Sequence, residues 1–216
     1  PLGLLYVGST LKAKGHEVRL HEAAFDVTRE ERFRAVRRCI DAMKPQVVGI
    51  TCMSMHASIV KDLVADIKEY RKDTKVVLGG VHPTVAAQEA LSWGADIAVK
   101  GEGDLTAIDI MDHYEGRKAI ESIKGISYGK DGKFFDNGAR DLIRDLDQLP
   151  PISYDLLDKS RFARRSYSIR GFWLKCGWIM TTRGCPGRCI FCASNSMHGR
   201  VVREFGVERV LDEVET

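Results

Sequence analysis

Apolar residues recur along the first half of the chain in two alternating rhythms. Between 2 and 14, Leu4, Leu5, Val7 and Leu11 keep helical spacing, and Gly15 stands where helices commonly end on a left-handed residue. A short strand is expected over 17–21. Residues 29–43 bring Phe33, Val36, Ile40 and Met43 onto one helical face, and Pro45 closes it. The unbroken run Val47-Val48-Gly49-Ile50-Thr51 then predicts a strand buried on both sides. The cycle repeats, with a helix over 58–70, a strand over 75–78 leaving through Gly79-Gly80, a helix over 84–91, a strand over 96–99 and a helix over 104–114. A small hairpin after the sheet is expected where Asp131-Gly132 separates 126–129 from 134–135. Residues 142–154, with Leu149-Pro150-Pro151 and no helical period, predict an extended strap.

Strands alternating with helices of this length predict an α/β fold, a doubly wound, Rossmann-like parallel sheet covered on both faces. In such folds ligands bind beyond the carboxyl ends of the strands. Three loops should lie there: 51–56, with its hydroxyls; 79–84, with Gly79-Gly80; and 100–104, with Glu102 between Gly101 and Gly103. Taken singly, each glycine loop reads as a tight turn. Three on one edge shift the balance toward a ligand that approaches the backbone closely.

Composition adds mainly exclusions. A net charge of +3 over 216 residues gives no case for nucleic acid, and Arg161, Arg164, Arg165 and Arg170 read as a solvated face. No run of about twenty apolar residues exists to span a membrane, and no export signal opens the chain, so a cytoplasmic location is expected. The start lies inside an apolar run without Met, which predicts a fragment trimmed at both ends. Cys39 and Cys52 stand apart and the remaining four of the six cysteines fall within 176–192, a distribution that favours metal binding over disulfides.

The chemistry concentrates in Cys185-Pro186-Gly187-Arg188-Cys189-Ile190-Phe191-Cys192, between a strand expected over 178–182 and a helix expected over 207–214. Three thiolates at this spacing can ligate three irons of a cubane cluster and leave the fourth open. Two rivals stand beside that reading: zinc completed by Cys176 or His198, and an electron-transfer cluster with Cys176 as fourth ligand. Arg183 and Arg188 fit either a ligand-facing or a structural role, and Trp173 and Trp178 read as core.

This loop, with aromatic Phe191 before the third cysteine, resembles the signature of radical S-adenosylmethionine (SAM) enzymes. The resemblance implies that Cys185, Cys189 and Cys192 hold a [4Fe-4S] cluster, that SAM chelates the open iron and is cleaved to a 5′-deoxyadenosyl radical, and that Phe191 lies near its adenine. It also implies that 171–216 begin a β/α barrel. Residues 1–140 resemble the cobalamin-binding domain that precedes such barrels, with Thr51-Cys52-Met53 in the place of its Ser-x-Leu and Gly79-Gly80 in that of its Gly-Gly. That resemblance makes Thr51, Met53, Ser54, Gly79, Gly80, His82, Gly101 and Glu102 cobalamin-binding candidates, the first strand being absent and 141–170 a linker. The family's Asp-x-His-x-x-Gly is missing, which leaves the lower ligand of cobalt open, with His56 and His82 on the relevant edge.

Together the resemblances imply a cobalamin-dependent radical SAM enzyme that methylates an unactivated carbon. Alternatives are a radical SAM cyclase or rearrangement enzyme, a cobalamin module without catalysis, and a radical SAM enzyme whose sheet domain binds no corrin. Expected partners are a small-molecule, lipid or tetrapyrrole-like substrate and an electron donor such as flavodoxin or ferredoxin. No side chain is singled out as catalytic.

Overall fold

Three short apolar runs form the centre of the molecule. Strands β1 (Val47–Thr51), β2 (Lys75–Gly79) and β3 (Ile97–Val99) pair in parallel, with Thr51 opposite Gly79 and Val77 opposite Ile97. The structure, a computed structural model, describes residues 2–23, 28–158, 167–169, 172–174 and 177–215. Cys176 and the basic cluster at 161, 164, 165 and 170 lie outside the described residues.

Helices α1 (Leu2–Ala13) and α2 (Arg29–Met43) come first in the chain. The connections between the parallel strands are α3 (Ala57–Tyr70), then α4 (Val81–Val85) and α5 (Ala87–Ser92). Alternation along β2 explains its burial on both sides. Val76 and Leu78 join Ile40, Val60, Leu63, Val64 and Ile67 on one face, while Val77 joins Ile97, Val99 and Ile110 on the other. Ile110 belongs to α6 (Asp104–Tyr114).

The sheet is mixed rather than wholly parallel, a correction to the doubly wound expectation. Strands β4 (Ile126–Lys130) and β5 (Lys133–Asp136) extend it antiparallel, in the order β1-β2-β3-β4-β5. The cause is where the chain re-enters. Lys100 N donates to Gly125 O at 2.8 Å, so β4 starts beside the carboxyl end of β3 with Ile126 opposite Val99. Ile126, Ser127 and Tyr128 are buried, so the first strand of the hairpin joins the core, while β5 is exposed along its length.

Other local expectations hold or fail for identifiable reasons. Gly15 takes φ +89°, and His16 N bonds Leu11 O at 3.2 Å, a Schellman-type end to α1. Residues 17–21 form no strand. They keep an alternation of exposure, partly burying Val18 and Leu20 against α1 and the strap, but find no ladder partner among the described residues. The helix expected over 84–91 is two pieces broken at Ala86, whose φ of −137° is not helical. The strand expected over 178–182 is reduced to β8 (Thr182–Arg183), which follows the antiparallel pair β6 (Tyr167–Ile169) and β7 (Phe172–Leu174).

The strap builds a third core. Ile143, Leu146, Leu149, Ile152 and Leu156 pack against Leu5 and Tyr6 of α1 and against Phe205. Helix α7 (Ser194–His198) and strand β9 (Arg203–Glu204) follow the cysteines, and Asp147 of the strap then accepts from Gly206 N at 3.0 and 3.1 Å at the start of helix α8 (Val207–Glu215). Among the described residues no helix is long and apolar enough to cross a membrane.

Candidate functional site

The parallel register brings Thr51 beside Gly79 at the carboxyl edge of the sheet. Beyond it the chain turns outward, leaving Thr51, Met53, Ser54 and Met55 exposed. Cys52 points the other way, fully buried, and burial pushes its thiol up to about 11. The two glycines have different tasks. Gly80 adopts φ +95°, and a Cβ there would lie 2.9 Å from Thr51 Oγ1 and 3.0 Å from Cys52 O, so the crossing of the two loops requires glycine. A Cβ on Gly79 would meet nothing closer than 3.9 Å, so its missing side chain leaves the edge open.

His82 lies behind this edge. It is 6% exposed and stacks on Trp93 with ring centroids 5.0 Å apart, and its Nδ1 is 3.2 Å from Ser54 Oγ. Its Nε2 has no hydrogen-bond partner, the nearest carboxylate being Glu89 at 3.8 Å. The ring braces the 51–56 loop from below, while His56 stands exposed.

Glu102 is also turned inward. Its Oε2 accepts from Arg203 Nη1 at 2.9 Å and Ile143 N at 3.1 Å; its Oε1 accepts from Arg203 Nη2 at 2.8 Å and lies 3.3 Å from His198 Nδ1. Burial alone would raise its pKa, but the bonds from His198, Arg203 and the Ile143 amide outweigh it and hold the carboxyl at about 2. Asp104, next but one, takes both Nη atoms of Arg183 at 2.8 and 3.1 Å. Arg183 therefore serves the fold, and Arg188 is exposed.

The cysteine loop stands on the same edge. Cys185, Cys189 and Cys192 are all exposed, and a Cβ on Gly187 would lie 3.4 Å from Cys185 Sγ and 3.8 Å from Cys189 Sγ. Asn195 Nδ2 donates to Gly187 O at 3.0 Å, and Cys185 N to Gly199 O at 3.2 Å, so α7 ties the loop back on itself. Helix α7 in turn rests on the strand-end loops: Thr84 Oγ1 donates to Gly80 O at 2.8 Å and accepts from Gly101 N at 3.0 Å, and Met197 Sδ packs 3.1 Å from the same oxygen. Ile190 and Phe191, 102% and 89% exposed, project from the loop.

These residues suit the groups the motifs imply. Three accessible thiols on one loop, two of them flanking Gly187, suit a cubane cluster, in which each thiolate takes a different iron. Among the described residues no three His, Cys, Asp or Glu side chains converge on a single ion. Exposed Met53 and Met55, the hydroxyls of Thr51 and Ser54, and the bare Gly79 edge offer a surface for a large ring with an extended tail. Arg203, Asp104 and Thr84 carry no local sequence signal for their roles, because each acts on a distant residue.

Comparisons with known proteins bear on the family and the fold. A family model described as the B12 binding domain matches residues 1–110. An uncharacterized methyltransferase of Pyrococcus horikoshii is 31% identical over 217 residues, covering 99% of this chain and 45% of the relative. The anaerobic magnesium-protoporphyrin IX monomethyl ester cyclase of Synechocystis sp. is 27% identical over 202 residues, covering 93% of this chain and 39% of the relative. The radical SAM methyltransferase TsrM from Kitasatospora setae, solved with cobalamin and a [4Fe-4S] cluster bound, shares the fold, with a TM-score of 0.74 at 18% identity over all of this chain and 42% of that one. The chain thus spans less than half the length of each of these proteins. Its strand-end loops and its matched first half lead to one assignment: the chain belongs to the B12-binding domain family, related to the class B radical SAM methyltransferases and cyclases.

Proposed function

We propose that this chain is the corrin-binding and cluster-binding part of a cobalamin-dependent radical SAM enzyme whose whole protein methylates an unactivated carbon. The observation that carries the reading is a juxtaposition: the helix that follows the three exposed thiols rests, through Met197 and Thr84, on the carboxyl edge of the sheet. Cys185, Cys189 and Cys192 would hold the cluster and Phe191 would cover SAM. Thr51, Met53, Ser54, Gly79 and Gly80 would line the corrin and its tail. His82, Gly101 and Glu102 would shape that surface from beneath. When bound, the cluster supplies an electron to cleave SAM, and cobalamin carries the methyl group.

In the proposed reading the protein positions these groups and excludes water from them. Residues 171–216 would begin a β/α barrel. A cytoplasmic flavodoxin or ferredoxin would deliver electrons, and the substrate would be a small molecule, a lipid or a tetrapyrrole-like ring. The Synechocystis relative favours a second reading, in which the same cofactors drive ring formation instead of methyl transfer.

Anaerobic reconstitution of the chain with iron, sulfide and hydroxocobalamin tests the reading. Gel filtration should return protein carrying both corrin absorbance and one cubane's worth of iron and sulfide. Corrin that elutes apart from the protein, or a loop that takes up zinc and no cluster, would sink it.

A further inference from the structure

We infer that Arg183 and Arg203, gripping Asp104 and Glu102, are positioning residues that set the cysteine loop over the strand-end edge of the sheet. The inference deepens the proposed function and rests on it for its purpose; the geometry stands without it.

The pairs lie at the base of the loop. Arg183 and Arg203 face each other across the β8–β9 ladder, so they bracket the entire excursion from Gly184 to Val202 that carries the three thiols. Both acids come from the junction after β3, Glu102 from the loop and Asp104 as the first residue of α6. Arg183 binds Asp104 through both Nη atoms at 2.8 and 3.1 Å, and Arg203 binds Glu102 through both at 2.9 and 2.8 Å. Arg183 also lies 3.6 Å from Glu102, and Arg203 Nη2 reaches His198 O at 2.9 Å, at the end of α7. All four residues are at most 8% exposed.

Two features separate positioning from simple adhesion. A two-pronged guanidinium–carboxylate contact fixes angle as well as distance, which a point charge cannot do. Moreover, buried ion pairs contribute little net stability compared with apolar packing, yet they define one arrangement against alternatives. Here apolar packing is already supplied nearby by Tyr6 stacked on Phe205 at 5.6 Å, with Arg183 over the Tyr6 ring at 4.8 Å. What the forks add is orientation, and the oriented object is the neck of the cysteine loop.

The variant that isolates orientation from charge is Arg183→Lys with Arg203→Lys. Hydrogen exchange on the chain reads it without any cofactor, through the amides of Cys185, Cys192, Ser196, Met197 and Gly199, all of which are hydrogen-bonded. Exchange across 185–199 should rise at least tenfold while 75–79 and 97–99 keep their protection. Unchanged exchange in the loop would overturn the inference, and so would an equal loss in both regions, which would make the pairs ordinary contributors to global stability. Should the double variant not fold, Arg203→Lys alone reads the same contrast. In the cofactor-loaded protein, the reduced cluster should relax the cob(II)alamin electron-spin signal less in the variant than in the parent, at equal cofactor content; equal relaxation would count against the inference. A parent chain that loads neither cofactor refutes the proposed function and leaves the exchange result standing.

Discussion

Gly80 presses so closely on Thr51 that a Cβ on the glycine would sit 2.9 Å from the threonine hydroxyl. With φ at +95° and the Cys52 backbone within 3.2 Å, no L side chain is accommodated without moving the end of β1. Gly80→Ala should therefore destabilise the fold by about 1–3 kcal/mol, a melting temperature lower by roughly 2–12 °C. Gly79→Ala has no such contact and should melt within a few degrees of the parent while weakening hydroxocobalamin binding. Thermal melts and corrin titration of the pair check this, and equal melting temperatures for both variants would contradict it.

Asp104 is the counter-charge of an arginine that is 5% exposed. Asp104→Asn removes the carboxylate that takes both Nη atoms of that guanidinium and leaves it only Glu102 at 3.6 Å, a loss of up to about 3–5 kcal/mol. Replacing Arg183 by Met at the same time removes the stranded charge and should recover much of the loss. A double-mutant cycle by denaturant unfolding measures the coupling, and strictly additive effects would show that the pair does not interact.

Acid should loosen the same region. Glu102 titrates at about 2 in the folded chain against an ordinary 4.5. A depressed carboxyl stabilises fully above the ordinary value, and that contribution disappears as the pH falls toward the folded value. About 3 kcal/mol should therefore be lost between about pH 4.5 and pH 2. Asp109, half-buried beside Lys118 and Arg140, is also lowered and adds to the trend. The parent's melting temperature should fall steeply through this window and that of Glu102→Gln, already lower, should fall less; parallel curves would exclude Glu102 as the cause.

Thiol chemistry should divide the cysteines into two classes. Cys52 is fully buried with its thiol pushed up to about 11, so alkylation near neutral pH should leave it intact while Cys185, Cys189 and Cys192 react. Cys189→Ala touches an exposed side chain and should change stability by less than about 0.5 kcal/mol. It should nevertheless abolish the reconstituted cluster's absorbance. Iron content of the variant equal to that of the parent would reject Cys189 as a ligand.

Elements whose signals are local were legible in the amino-acid order. The helices Arg29–Met43 and Asp104–Tyr114 and the strand Val47–Thr51 form at their predicted bounds, because apolar periodicity lies within each of them and Pro45 separates the first helix from the strand. Direction of pairing was not legible. An apolar run such as Ile126-Ser127-Tyr128 suits either orientation, and its antiparallel place depends on where the chain returns after α6. The same holds for the site. Thiol spacing and paired glycines can be read in a window of a few residues, whereas Glu102 looks like a solvent-facing loop carboxylate until Arg203, 101 positions away, closes on it. His82 likewise acquires its buried place only from Trp93 and Ser54.

The distribution of opposite charges along the chain also limits how its parts can be exchanged. The acids belong to the sheet and the bases to the segment bearing the cysteines. A chimera joining this sheet to a relative's cysteine segment would inherit unmatched buried ions unless both arginines travelled with it. The two halves are thus keyed to one another, and recombination between family members should succeed only where lock and key are transplanted as a set.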